Sequence, residues 1–188
     1  MDKTYRTELH RVFLLKGLPE PLLKSSSHLQ IYDNYLENTR LRLRKMRSPE
    51  TRIWSYCLQQ RFPLGGKKGI WKIAEIHLNE AEHFEFRSFE GYETRKNRYF
   101  LEVNRKNMEV DVFLGELDGL ILAKVVFEDE KEFEEFEIPP FAVAETTENP
   151  FFYGENLVKN HFSDIQNELN RMNKANEIFI AIQGAEDE

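Results

Sequence analysis

Cysteine is almost missing from this chain. A single residue, Cys57, excludes an intrachain disulfide framework and a Cys-rich zinc site, and nothing in the sequence calls for an oxidising compartment. Long apolar runs are missing too: "GLILA" and "IFIAI" fall far short of the ~20 residues a membrane span needs, and "MDKTYRTELHRVF" holds no apolar signal core. The expectation is a cytoplasmic protein that neither enters nor crosses a membrane. Glycine and proline are sparse, at 9 and 7 of 188 residues, and no repeat or low-complexity linker breaks the chain, so one domain is expected. An overall surplus of base is absent as well: 26 Lys and Arg face 33 Asp and Glu, a formal net charge of -7. Such a surface weakens attraction to nucleic acid, although it leaves room for a local basic stripe. Finally, "GGKKG" lacks the Gly-x-x-x-x-Gly-Lys-Ser/Thr spacing of a phosphate-binding loop and reads as a basic hairpin turn.

What the chain does hold is apolar bulk and alternation. Fifteen Phe and seven Tyr, with 40% hydrophobic residues overall, supply the surface a folded core needs. Short segments rich in β-branched and aromatic residues, "RTELHRVFLL", "HLQIYDNYLE", "TRLRLRKM", "IWSYCLQQRF" and "GIWKIAEIHL", read as strands of an antiparallel meander. "RYFLEVNRKNMEVDVFLGELDGLILAKVVFE" continues it with three more, turning at "NRKN" and "LGELDG". Helices are expected in "NEAEHFEFRSFEG", capped by Asn79 and stopped at Gly91, and in "EDEKEFEEFEIPP", an acidic solvated helix with Phe133 and Phe136 on one face. About one helical turn is expected in "EPLLK". A last helix, "HFSDIQNELNRMNKAN", puts Phe162, Ile165, Leu169 and Met172 on one side, with Ser163 and Gln166 as a capping box, and "AIQGAEDE" reads as a polar tail. Residues 1–160 are thus expected to form one α+β domain, with 161–188 a helix and tail packed on it.

The charge distribution is local. Residues 40–72 hold ten Lys and Arg against one acid, Glu50, and within them "TRLRLRKMR" alternates Arg40, Arg42 and Arg44 with leucine. In a strand this puts the arginines on one face; in a closed sheet that face is an interior, where guanidinium groups must meet carboxylates or an anionic ligand. Polyphosphate suits such a row. The competing reading is a buried polar network in which Arg42 and Arg44 pair with Glu8, Glu75 and Asp111. Cys57, amid strand apolars, reads as a small buried hydrophobe, and His77, His83 and His161 show no ligand spacing.

From about Tyr5 to Lys159 the sequence resembles the CYTH superfamily of triphosphate tunnel metalloenzymes, which includes thiamine and inorganic triphosphatases and class IV adenylate cyclases. The carriers, in order, are "ELHRVFLLKGLP", "NYLENTRLRLRK", "NRYFLE", "EVDVFLGELDGLILAKVVFE" and "ETTENPFFYGENLVK". The resemblance implies an eight-stranded antiparallel barrel in which basic residues hold a triphosphate and glutamates hold Mg²⁺ or Mn²⁺. Arg42 and Arg44 match the family's Arg-x-Arg pair, Arg61 the basic residue of the next strand, and Arg98 the arginine of its Arg-Tyr motif.

The metal half departs from the pattern. Glu8 matches the first glutamate of the family's Glu-x-Glu-x-Lys strand, but His10 stands where the second should be and Val12 where the lysine should be. Lys124 and Val126 occupy two further glutamate positions, while Glu75, Asp111 and Glu145 fall at positions the family gives to acids. The resemblance therefore implies phosphate binding by Arg42, Arg44, Arg61, Arg98 and Lys124, and a metal set drawn from Glu8, Glu75, Asp111, Glu145 and His10. A catalytic residue is not singled out. Two functions follow: a tunnel that binds a triphosphate-containing small molecule or polyphosphate, with metal-dependent hydrolysis of a phosphoanhydride, or a catalytically inactive anion-binding or protein-interaction module. A nucleotidyl cyclase is the weakest reading, nucleic acid is disfavoured as a partner, and the oligomeric state is left open.

Overall fold

Alternation along the chain becomes nine strands in the computed structural model, which describes residues 4–173. They are β1 (Arg6–Leu15), β2 (Leu29–Leu36), β3 (Leu41–Arg47), β4 (Trp54–Pro63), β5 (Ile70–Leu78), β6 (Gly91–Val103), β7 (Lys106–Leu114), β8 (Ile121–Phe127) and β9 (Ala142–Glu145). All pairings are antiparallel, in the order β5-β4-β3-β2-β6-β7-β8-β1-β9, and β1 pairs back onto β5. That last pairing closes β1 to β8 into the expected eight-stranded barrel and gives every residue on alternate positions an inside or an outside address. The length of β1 makes closure possible. Arg6–Leu9 seal against Ile70–Ile73 of β5, while Phe13–Leu15 take β9 on the same edge.

The connections follow turn chemistry. Asn104 and Arg105, both at positive φ (50° and 62°), form the two-residue turn between β6 and β7 that right-twisted hairpins favour. Asn79 caps α1 (Glu80–Phe86) in a complete capping box with Glu82. The helix stops at Arg87 rather than Gly91; Gly91 instead opens β6, where any side chain would collide with the Tyr35 carbonyl. The expected helical turn in "EPLLK" is a simple turn, Leu22 N–H bonding the Pro19 carbonyl, because two closely spaced prolines remove helical donors.

Two apolar clusters flank the barrel. On the outer wall, Phe13, Met108, Val110, Val125 and Phe127 pack under α2 (Glu130–Glu135). The acidic segment is therefore more than a solvated face: Phe133 and Phe136 are buried, and Phe136 lies just past the helix in extended backbone. The second cluster fills one end of the barrel. Inward residues Leu14, Phe113 and Leu122 meet Phe152, Leu157 of α3 (Gly154–Leu157), and Ile165 of α4 (162–173). Entry to α4 is at His161, whose N–H bonds Asp164, so the expected Ser163 capping box is replaced by a cap two residues earlier. The end of the expected last helix and the polar tail lie outside the described residues. Among the described residues no helix is long and apolar enough to cross a membrane.

Candidate functional site

The arginine row of β3 points into the barrel. Arg44 sits directly opposite Asp33 of β2 and forks onto it, Nε to Oδ1 at 2.6 Å and the terminal nitrogen to Oδ2 at 2.7 Å. Burial alone would raise the Asp33 carboxyl, but the Arg42 and Arg44 charges hold it well below the usual carboxylate range. Arg42, one step along, donates to Tyr35 Oη at 3.1 Å and to Gln59, which in turn donates to Glu75. Arg40 reaches only the rim, its guanidinium 4.5 Å from the Phe62 ring centroid.

Opposite, β6 and β7 bring a second set. Arg98 forks onto Asp111, at 2.6 and 2.8 Å, and Lys96 Nζ takes Asp111 Oδ2 at 2.6 Å. These two cations hold the Asp111 carboxyl low against a burial effect that would raise it, while burial pushes the Lys96 ammonium down to about 8. The third set gathers on Glu8. Arg61 stands at 3.1 Å from its Oε1, Lys124 at 3.3 Å, His10 Nδ1 at 3.2 Å, and Arg6 at 3.0 Å from Oε2. His10 Nδ1 makes that approach without hydrogen-bond alignment. Burial drives the His10 imidazole below its ordinary value, against the Glu8 carboxylate that would raise it. Lys124 also lies 3.1 Å from Glu109, which Arg98 approaches at 2.7 Å.

These sets surround a cavity of about 330 Å³. Its wall carries Arg42, Arg61, Lys96, Arg98 and Lys124, with Arg40 at the rim. Among the described residues lining it, carboxylates come from Asp111 and Glu155 alone; Glu8, Asp33 and Glu109 stand behind the cations. The layering has a chemical meaning. Buried carboxylates anchor the cations in fixed geometry, and the cations retain donors beyond those the carboxylates take. Chemically, a wall of this composition suits an anion.

Of the expected phosphate-binding residues, Arg42, Arg61, Arg98 and Lys124 converge on this cavity, while Arg44 lies behind it, held by Asp33. Of the expected metal set, Glu8, His10 and Asp111 are inside the barrel. Glu75 stands near one mouth, bound to Gln59 with His77 at 3.6 Å. Glu145 is elsewhere: β9 presents it on the outer side of β1, where Arg11 forks onto it at 2.7 and 3.2 Å. It is removed from the cavity because Arg11 and Phe13 occupy the outward positions of β1. Val126, opposite His10 in register, is 41% exposed. Sequence reading missed Lys96, Glu109 and Asp33. The alternations Lys96/Arg98 and Glu109/Asp111 carried the signal, but β6 begins seven residues before Arg98, and this extension was not evident.

The residues present do not fit a divalent cation. Among the described residues no three His, Cys, Asp or Glu side chains converge to hold a metal ion. Each inward carboxylate is engaged by Arg, Lys or Gln, and the Lys124 ammonium lies between Glu8 and Glu109. Mg²⁺ and Mn²⁺ need several free oxygen ligands, and these are committed elsewhere.

No protein-family model matches the sequence. A curated protein, the inorganic triphosphatase of Acetivibrio thermocellus, is 33% identical over 105 residues, covering 54% of this chain and 66% of that relative. The match thus spans just under two thirds of the relative's length. Two solved structures of NE1496, one described as an inorganic triphosphatase, superpose with TM-scores of 0.55 and 0.56 at 22% identity. They cover 80% and 82% of this chain, and 93% and 99% of theirs. This likeness establishes the barrel.

Proposed function

We propose that this chain, a divergent member of the CYTH superfamily of triphosphate tunnel proteins, binds a triphosphate- or polyphosphate-containing small molecule in its barrel and hydrolyses a phosphoanhydride bond. One observation carries the reading. Five cationic side chains from four strands, Arg42, Arg61, Lys96, Arg98 and Lys124, face a single cavity while most of their carboxylate partners lie behind them. A salt-bridge network that merely completed a core would leave no such open wall with cations in excess of carboxylates. The inorganic triphosphatase activity of the Acetivibrio relative supports the same substrate class.

Hydrolysis balances simply. Water oxygen bonds to the terminal phosphorus, the bridging phosphorus–oxygen bond breaks with its electron pair leaving on the shortened phosphate chain, and the second water proton passes to that leaving phosphate or to solvent. The fixed guanidinium and ammonium groups hold the substrate in line and offset charge gathering on the leaving oxygen. Cytoplasm is the proposed setting, in keeping with the lone, buried thiol of Cys57, which burial pushes up to about 11.

The test is calorimetric titration and thermal melting with tripolyphosphate, beside phosphate-release assays on tripolyphosphate, ATP and thiamine triphosphate with Mg²⁺, Mn²⁺ or chelator. Binding with a raised melting temperature and phosphate release are expected. Binding without release would reduce the function to anion capture; absence of both would remove the tunnel reading.

A further inference from the structure

Lys124 stands between two carboxylates inside the barrel. Its Nζ stands 3.3 Å from Glu8 Oε1 and 3.1 Å from Glu109 Oε2, bridging two carboxylates from strands on either side of β8. The same carboxylates are further engaged by Arg61 and Arg6 on Glu8 and by Arg98 on Glu109. A divalent ion arriving here would meet three or more fixed positive charges within ordinary ion-pair reach and no uncommitted carboxylate oxygen pair. Electrostatically it is excluded, since like charges at such distances repel strongly where water is scarce.

The ammonium nevertheless has capacity to spare. It carries three donors, one is given to Glu8 Oε1, the approach to Glu109 Oε2 is an ion pair without hydrogen-bond alignment, and Lys124 lines the cavity. We propose that Lys124 is the resident cation of this site, bridging Glu8 and Glu109 and offering a remaining donor to a phosphoryl oxygen, so that a triphosphate binds without any divalent metal. The inference rests on the triphosphate-binding reading and deepens it: the ligand is taken as the free polyanion, not as its metal complex. Arg61 on the same carboxylate and Arg98 on the same partner complete a cradle that is positive before the ligand arrives. Magnesium in solution then competes with the protein for the ligand.

The experiment is titration of tripolyphosphate into the full chain in excess EDTA and again in excess Mg²⁺ or Mn²⁺. The expected result is binding in EDTA at least as tight as with metal, and weaker binding as Mg²⁺ sequesters the free ligand. Binding that appears only when metal is added overturns this inference and leaves the triphosphate reading standing. No binding under any condition overturns both. Lys124→Gln is expected to lower affinity in EDTA by about tenfold or more, the usual scale of one charge-assisted contact. Lys124→Glu is expected to bind tripolyphosphate only when Mn²⁺ is supplied, a reversal that a merely structural lysine would not produce. Unchanged affinity in a folded Lys124→Gln protein overturns the role of Lys124. Should either variant fail to fold by circular dichroism, the wild-type comparison in EDTA decides alone.

Discussion

Asp33 shows how much a single buried residue carries. Its carboxylate is 2% exposed, Arg44 grips it with two short bonds, and Arg42 stands 3.6 Å away. Removing the charge while keeping the shape leaves Arg44 buried and unpaired, so Asp33→Asn is expected to cost about 3–5 kcal/mol in denaturant unfolding. The pair also sets a pH dependence. The folded carboxyl lies below its unfolded value of about 4, so its contribution is complete above that pH and is lost as pH falls. Melting temperature should hold from pH 7 to about 5 and drop below about 4; the drop should shrink in Asp33→Asn. A flat acid limb in the wild type would show that the pair contributes little.

At the scale of elements, the alternation of charge with apolar residues divides each strand between barrel interior and outer wall. β1 illustrates it: Glu8 and His10 turn inward, while Arg11 and Phe13 turn out under α2. Alternation in sequence therefore indicated which arginines of β3 share a face, yet said nothing of Glu145, whose strand pairs on the outside. The hairpin joining β6 and β7 offers a clean test. Arg105 is held at φ 62°, a conformation that costs a non-glycine residue about 1 kcal/mol and glycine almost nothing. Arg105→Gly should raise stability by about 1 kcal/mol in thermal or denaturant melts. Loss of stability would mean that the Arg105 side chain contributes more than its backbone strain removes.

For the molecule as a whole, closure is uneven. β6 and β7 share a register running from Arg95↔Leu114 to Val103↔Lys106, whereas β1 and β5 seal only over Arg6–Leu9 with Ile70–Ile73. The short seam is the place where the barrel should open first. Amide exchange is expected to be faster at Thr7, Glu8 and Trp71 than at the centre of β7. Tripolyphosphate should slow it, because Arg61 and Lys124 both reach across to Glu8 of β1. Equal protection around the barrel, or a seam indifferent to ligand, would sink this account. The overall charge of -7 and the cationic cavity also coexist without conflict: the inward acids Glu8, Asp33, Glu109 and Asp111 are paired with cations, and the local field is set by what lines the cavity.

Much of this architecture was legible in the chain. Period-two patterning fixed most strands within a residue or two, as in Arg6–Leu15, and the Asn104–Arg105 turn announced its hairpin. The Arg42/Arg44 row, Arg98 and Glu8 were legible as inward-facing, because alternation is a local property and survives in one dimension. What tertiary structure decided was partnership. Which acid faces which base depends on strand register and barrel closure, so the pairings Asp33–Arg44, Asp111–Lys96 and Glu8–Lys124 join residues that sequence spacing does not relate. Sequence determined that this protein would carry basic side chains along inward-facing strands; only closure, by pairing them with carboxylates from neighbouring strands, gathered those side chains around a common cavity.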